Sequence, residues 1–108
     1  MVQKSLIFVS HKIKNSIMIR LNVFIQVENV NHANVLDAAK ELTATSVKEE
    51  GCIAYDVFES ATRPNVFLIC ETWKDSKALS NHEKGDSFIK NIAVLKEFAA
   101  IKVEKFEF

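Results

Sequence analysis

The sequence predicts a single α+β domain over residues 18–108, with elements in the order β-α-β-β-α-β. Three observations carry that reading. Residues 19–27 alternate, with Ile19, Leu21, Val23, Ile25 and Val27 set against Arg20, Asn22, Phe24 and Gln26, the period of a strand with one apolar face. Val35, Ala39, Leu42 and Ser46 then fall on one stripe at helical spacing. Two further strand-like runs are separated by Ala61-Thr62-Arg63-Pro64-Asn65, a hairpin loop by its residues.

Each element has a local cause. The polar run Glu28-Asn29-Val30-Asn31 offers an asparagine as N-cap for the first helix. That helix is expected to continue to about Glu50 and to end on Gly51 at the C′ position. Lys40, Lys48 and Glu49 are assigned to its wet side. Strands at Ile53–Ser60 and Val66–Trp73 form the hairpin. In its second arm Val66-Phe67-Leu68-Ile69-Cys70 is apolar on both faces, so each face needs a cover. Asp75 caps a short helix through Ser76, Ala78, Leu79 and His82, ending near Gly85. Asp86 caps a second, with Phe88, Ile89, Ile92 and Leu95 on one face. Phe98–Phe108 closes the chain as a strand in which Ile101 and Val103 alternate with Lys102 and Glu104. Phe106 and Phe108 break that phase, which suggests a bulge or a partner contact.

This order is the split βαβ arrangement, a ferredoxin-like four-stranded antiparallel sheet with its helices on one face. The helices cover the Leu21/Val23/Ile25 side. The other face is left with Phe24, part of Phe67–Cys70 and the terminal phenylalanines, a large apolar patch for a monomer. A second copy packed against it, as a homodimer, is the economical cover.

Composition narrows the functional classes. Hydrophobic residues make up 48% of the chain, against two glycines and one proline, which is a folded composition. Fourteen basic and fourteen acidic side chains cancel, so nucleic acid is not an expected partner. No apolar run approaches the ~20 residues that span a bilayer, so no membrane partner is expected either. Leu6-Ile7-Phe8-Val9 is too short for a signal peptide, and basic residues follow it. Residues 1–17 are read as an extension of uncertain status, with an added strand at Leu6–Val9 as the alternative. Cys52 and Cys70 suit a reducing cytoplasm. Hairpin register sets Cys70 opposite residue 55 or 56, roughly 13 Å along the strand from Cys52, too far for a disulfide. No cysteine and histidine spacing suggests a metal site.

Few residues have the makings of a site. His82 shares a helix face with Leu79, and its ring suits proton transfer near neutral pH; the alternative is a surface histidine. Glu71 and Trp73 share a strand face, a carboxylate beside an aromatic wall, or else a structural pair. Asn22 is an amide that could stabilise an oxyanion, bond the next strand or face a partner. Tyr55, Asp56 and Phe58 are open between packing and pocket. His11 and His32 read as surface residues.

The run Glu50-Gly51-Cys52-Ile53-Ala54-Tyr55-Asp56-Val57-Phe58-Glu59, followed by Phe67, Glu71, Trp73, Asp75, Ala78, Leu79 and His82, resembles the signature of the antibiotic biosynthesis monooxygenase (ABM) family. The match runs through E-x-W-x-D-x-x-A-L-x-x-H. The resemblance implies a dimeric α/β barrel with a pocket between sheet and helices in each protomer. It also implies oxidation of quinols or anthrone-type phenols by molecular oxygen without metal or flavin. His82 is then the proton-transfer group, Asn22 and Trp73 orient the ring, and Glu71 tunes its neighbours. Phe24, Tyr55, Phe58 and Phe88 are expected pocket walls. Where many relatives carry a second histidine, this chain has Ser87; residues 86–97 hold no histidine, which disfavours heme degradation. The expected function is a cofactor-independent monooxygenase. The alternatives are a cofactor-free isomerase of a small hydroxyketone and a non-catalytic ligand-binding dimer.

Overall fold

A computed structural model describes residues 17–108, so the readings made on Leu6–Val9 and His11 lie outside the described residues. Strand β1 is Ile19–Val27, and a 3-10 turn at Asn29–Asn31 leads into helix α1, His32–Ser46. Strands β2 (Cys52–Glu59) and β3 (Val66–Trp73) form the hairpin. Two short helices, α2 (Ser76–Glu83) and α3 (Asp86–Phe98), precede β4, Ala99–Glu107. The sheet order is β2-β3-β1-β4 and every pairing is antiparallel. This is the expected ferredoxin-like fold, with the second helical region split in two.

The alternation of β1 sorts the sheet. Ile19, Leu21, Val23, Ile25 and Val27 are buried under the helices. They are joined there by Phe67, Ile69 and Trp73 from β3 and by Val35, Ala39 and Leu42 from α1. Side chains directly opposite in register share a face. The pairs Asn22↔Cys70, Phe24↔Leu68 and Phe58↔Leu68 therefore place those residues on the outer face. Phe67 is not on that face. It lies beneath the helices and is fully buried, so the outer share of the apolar run is Leu68 and Cys70.

Several local details differ from expectation. Asn31 occupies the N-cap position of α1, but its side chain makes no capping bond. The helix stops at Ser46, and Gly51 comes only after a further turn. There Gly51 has φ +83, and an added Cβ would sit 2.4 Å from Ala78 Cβ. Only glycine supplies that backbone without strain and lets α2 come so near. Asp75 does cap α2, its Oδ1 accepting from Ala78 N–H at 2.8 Å. The N-cap of α3 is Gly85 rather than Asp86. Ile89 is exposed, while Phe88, Ile92 and Leu95 turn inward.

The phase change at Phe106 is not a bulge, because β1 and β4 pair in unbroken register from Val27↔Ala99 to Ile19↔Glu107. The helices cover only the first half of the β4 inner face, so Lys105 and Glu107 lie there in solvent while Phe106 falls on the outer face with Arg20. The sheet's irregularity is instead in β2, between Cys52 and Ala54. Cys70 pairs with Asp56 as expected, and both cysteines are free thiols. His32 is more than a surface residue: Nδ1 lies 2.7 Å from Asn65 Oδ1 and the ring stands edge-on to Phe67, which ties α1 to the hairpin loop.

Candidate active site

Between the helices and the sheet lies a cavity of about 500 Å³, within the range of small-molecule pockets. Leu21, Val23 and Ile69 form its floor, and Ile92 and Leu95 of α3 its roof. The floor runs on to Ile101 and Val103 of the edge strand β4. Its buried polar groups gather at the other end, where Tyr55, Glu71 and His82 line the wall. Tyr55 and Glu71 are directly paired across β2 and β3, and α2 lowers His82 onto them.

His82 is 3% exposed. Its ring lies 4.5 Å from that of Trp73, tilted by 35°, and meets Tyr55 and Phe88 at 5.8 and 5.0 Å. Nδ1 is 2.7 Å from Glu49 Oε1. A carboxylate accepts, so this bond places the ring proton on Nδ1 and leaves Nε2 as the basic nitrogen. Nε2 is buried and has no hydrogen-bond partner among the described residues. The arrangement is that of a general base held by a carboxylate, with its free nitrogen in a water-poor wall.

Helical periodicity places Glu49 on the solvated side of a longer helix. The early end of α1 overturns that. Cys52 N–H donates to Glu49 O and Lys74 N–H to Gly51 O, and the tight turn so formed carries the Glu49 side chain back over α2. Helical periodicity had no means of finding a contact made after the helix has stopped.

Glu71 is 5% exposed, and its Oε1 accepts a 2.8 Å bond from Trp73 Nε1. Burial raises its pKa above the ordinary carboxylate range; the Trp73 bond and His82 oppose this, and Glu83 and Glu49 reinforce it. The Tyr55 phenol is likewise pushed far above its usual range, by burial and then by Glu71. Burial also raises the Cys52 thiol, helped by Glu49 and Glu71, which keeps it in its unreactive form.

The structure thus brings together His82, Glu71, Tyr55 and Phe88, with Trp73 directly behind them. Trp73 is fully buried and does not line the cavity; it touches His82 and Glu71 rather than the open space. Asn22, Phe24 and Phe58 are not brought to this site. They lie on the outer face of the sheet, a full sheet thickness from His82, because each has the opposite strand parity from Leu21 or Tyr55. Ser87, at the position of the relatives' second histidine, joins Thr45 (2.7 Å) and Asn91 in a polar seam between α1 and α3. Among the described residues, no group of three or more His, Cys, Asp or Glu side chains is placed to hold a metal ion.

Comparison with known proteins agrees with this architecture. Residues 18–93 match the family described as antibiotic biosynthesis monooxygenase. The chain is 32% identical over 87 residues to the Bacillus subtilis protein named "Putative monooxygenase YcnE", covering 81% of this chain and 92% of that one. It is 56% identical, with a TM-score of 0.82, to a crystal structure from Bacteroides thetaiotaomicron described as a conserved protein of unknown function and possible oxidoreductase; 84% of this chain and 97% of that one are covered. The fold is shared with a Deinococcus radiodurans structure named as a "putative antibiotic biosynthesis monooxygenase" (TM-score 0.77, 22% identity, covering 83% and 91% of the two chains). With the family matched over most of the chain and the fold shared with its relatives, this protein belongs to the antibiotic biosynthesis monooxygenase family.

Proposed function

We propose that the protein is a cofactor-independent monooxygenase that oxidises a small phenolic or quinol-like substrate with molecular oxygen. One observation carries this reading: the His82 ring, bonded through Nδ1 to Glu49, lines a largely hydrocarbon cavity and keeps its Nε2 buried and unpartnered among the described residues. In that setting Nε2 takes the proton of a phenolic hydroxyl. Glu71, held toward its protonated form by burial, donates a hydrogen bond to the resulting anion. A hydrogen-bearing ring carbon conjugated with that oxygen, ortho or para to it, then reduces dioxygen and forms a carbon–oxygen bond, and the proton held by His82 completes the hydroperoxide. Loss of water, with the carbon's own proton as the second hydrogen, leaves a carbonyl. One oxygen atom enters the product and the other leaves as water. The apolar walls suit dioxygen and keep water from the anion.

In this reading Trp73 positions His82 and Glu71 from behind. Asn22 passes from the catalytic set to the outer face. There its buried Oδ1 has no partner among the described residues. The apolar side chains of that face, Phe24, Leu68 and the half-exposed Phe58, support a homodimer formed through the sheet. The two free thiols support a reducing, cytoplasmic setting.

Isomerisation of a small hydroxyketone is the second reading, favoured by a specific observation: Glu71 and His82 line one cavity, so one group can remove a proton and the other return it. Oxygen uptake measured with an electrode against phenols, quinols, anthrones and hydroxyketones separates the two. The proposal expects uptake with at least one aromatic substrate. Turnover of hydroxyketones alone, without uptake, would favour isomerisation.

A further inference from the structure

The cavity has unlike ends, and they fit a ligand with unlike ends. Phe88, near the start of α3, meets the His82 ring at 5.0 Å. Lys96 lies eight residues further along the same helix, roughly 12 Å by the helical rise, and it also lines the cavity. Between them the floor and roof are hydrocarbon. Lys96 is the one lysine or arginine among the lining residues. It is exposed at the rim and makes no ion pair among the described residues, whereas Lys90 on the same helix is paired with Glu41 at 3.1 Å. The cavity thus presents a proton acceptor at one end, an apolar span, and an unneutralised cation at the other.

We infer that the substrate is a hydroxylated aromatic acid: its ionising hydroxyl meets His82, its rings cover the Leu21/Val23/Ile69 floor, and a carboxylate at its far end pairs with Lys96. This rests on the phenolic reading above and extends it. A neutral quinol would leave Lys96 without a partner. It would also set its second hydroxyl against hydrocarbon, where an unmade hydrogen bond is costly. A flexible lysine at a rim reads an anion as a point charge, so the effect on affinity is moderate and sensitive to salt.

Isothermal titration calorimetry of the full chain with 6-hydroxy-2-naphthoate, 6-hydroxy-2-naphthamide and 2-naphthol tests this, because the first two differ only in charge at the far end. The expected result is that the naphthoate binds about fivefold tighter than the naphthamide at low salt, the upper range for an exposed ion pair. That ratio is expected to fall to about one in Lys96→Met and below one in Lys96→Glu. Equal binding of naphthoate and naphthamide by the unmodified protein, or a preference that persists in Lys96→Met, overturns the inference and leaves the phenolic reading standing. If none of the three binds, the inference fails, and the oxygen-uptake panel decides the phenolic reading separately.

Discussion

Glu49 Oε1 and His82 Nδ1 are 2.7 Å apart, joined across 33 residues of sequence by a turn that only Gly51 can make. The imidazole is 1% exposed and the carboxylate 30%, so solvent reaches the acid and not the base. On this geometry Glu49 is a positioning residue that selects the tautomer of His82. Glu49→Ala should leave the fold intact and lower kcat by about 10–100-fold with little change in KM, in line with the loss of a group that orients a catalytic one. Glu49→Asp, which keeps the charge, should recover part of that loss. A structural role alone would not alter the ring: in 15N-resolved spectra, His82 should hold its proton on Nδ1 in the unmodified protein and populate both tautomers in Glu49→Ala.

Gly51→Ala tests the turn itself. The new methyl would meet Ala78 Cβ at 2.4 Å on a backbone at φ +83. Urea unfolding should show a loss of about 1–3 kcal/mol. Because the turn carries Glu49, the His82 tautomer should shift with it; a stable variant with an undisturbed tautomer would separate the turn from the site.

Glu71 makes stability depend on pH in a definite direction. Its pKa is raised in the folded state by burial, so the folded protein binds this proton more tightly than the unfolded chain. The associated stability is full below the ordinary carboxylate range and is lost as pH rises through the folded-state value. Glu71→Gln keeps an acceptor for Trp73 Nε1 and removes the buried charge. It should therefore raise Tm at pH 8 by a few degrees, the shift expected from about 1 kcal/mol in a domain of this size, and the advantage should shrink toward pH 5. A variant less stable at pH 8 than at pH 5, relative to the unmodified protein, would mean that Trp73 and His82 outweigh burial.

The outer sheet face should associate. Sedimentation equilibrium should give a mass of about twice the 12.2 kDa chain. Leu68→Glu, a charge placed centrally among Phe24, Phe58 and Cys70, should give a folded monomer. A monomeric unmodified protein at micromolar concentration would refute the dimer.

What the residues disclosed in advance follows from how local the cause was. Strand alternation in β1, the Asp75 cap and the pairing of Cys70 with Asp56 depend on near neighbours in sequence or on a single short loop, and all are found. Glu49 depends on where α1 stops, and no periodic signal marks that. Phe58 is an aromatic within the recognisable motif and Phe24 an aromatic on the first strand, which is why both read as pocket walls. Their strand parity already placed them on the other face, as it did Asn22. Lys105 and Phe106 show the limit of parity: which face is wet changes along β4 because the helices cover only part of it.

Oxygen consumption by His82→Ala decides whether His82 takes the proton that starts oxygenation. With a substrate found in the aromatic panel, the unmodified protein should consume dioxygen. A folded His82→Ala should do so about 10²–10⁴-fold more slowly, the usual contribution of a general base. Oxygen uptake by His82→Ala at the rate of the unmodified protein would mean that His82 is not the base.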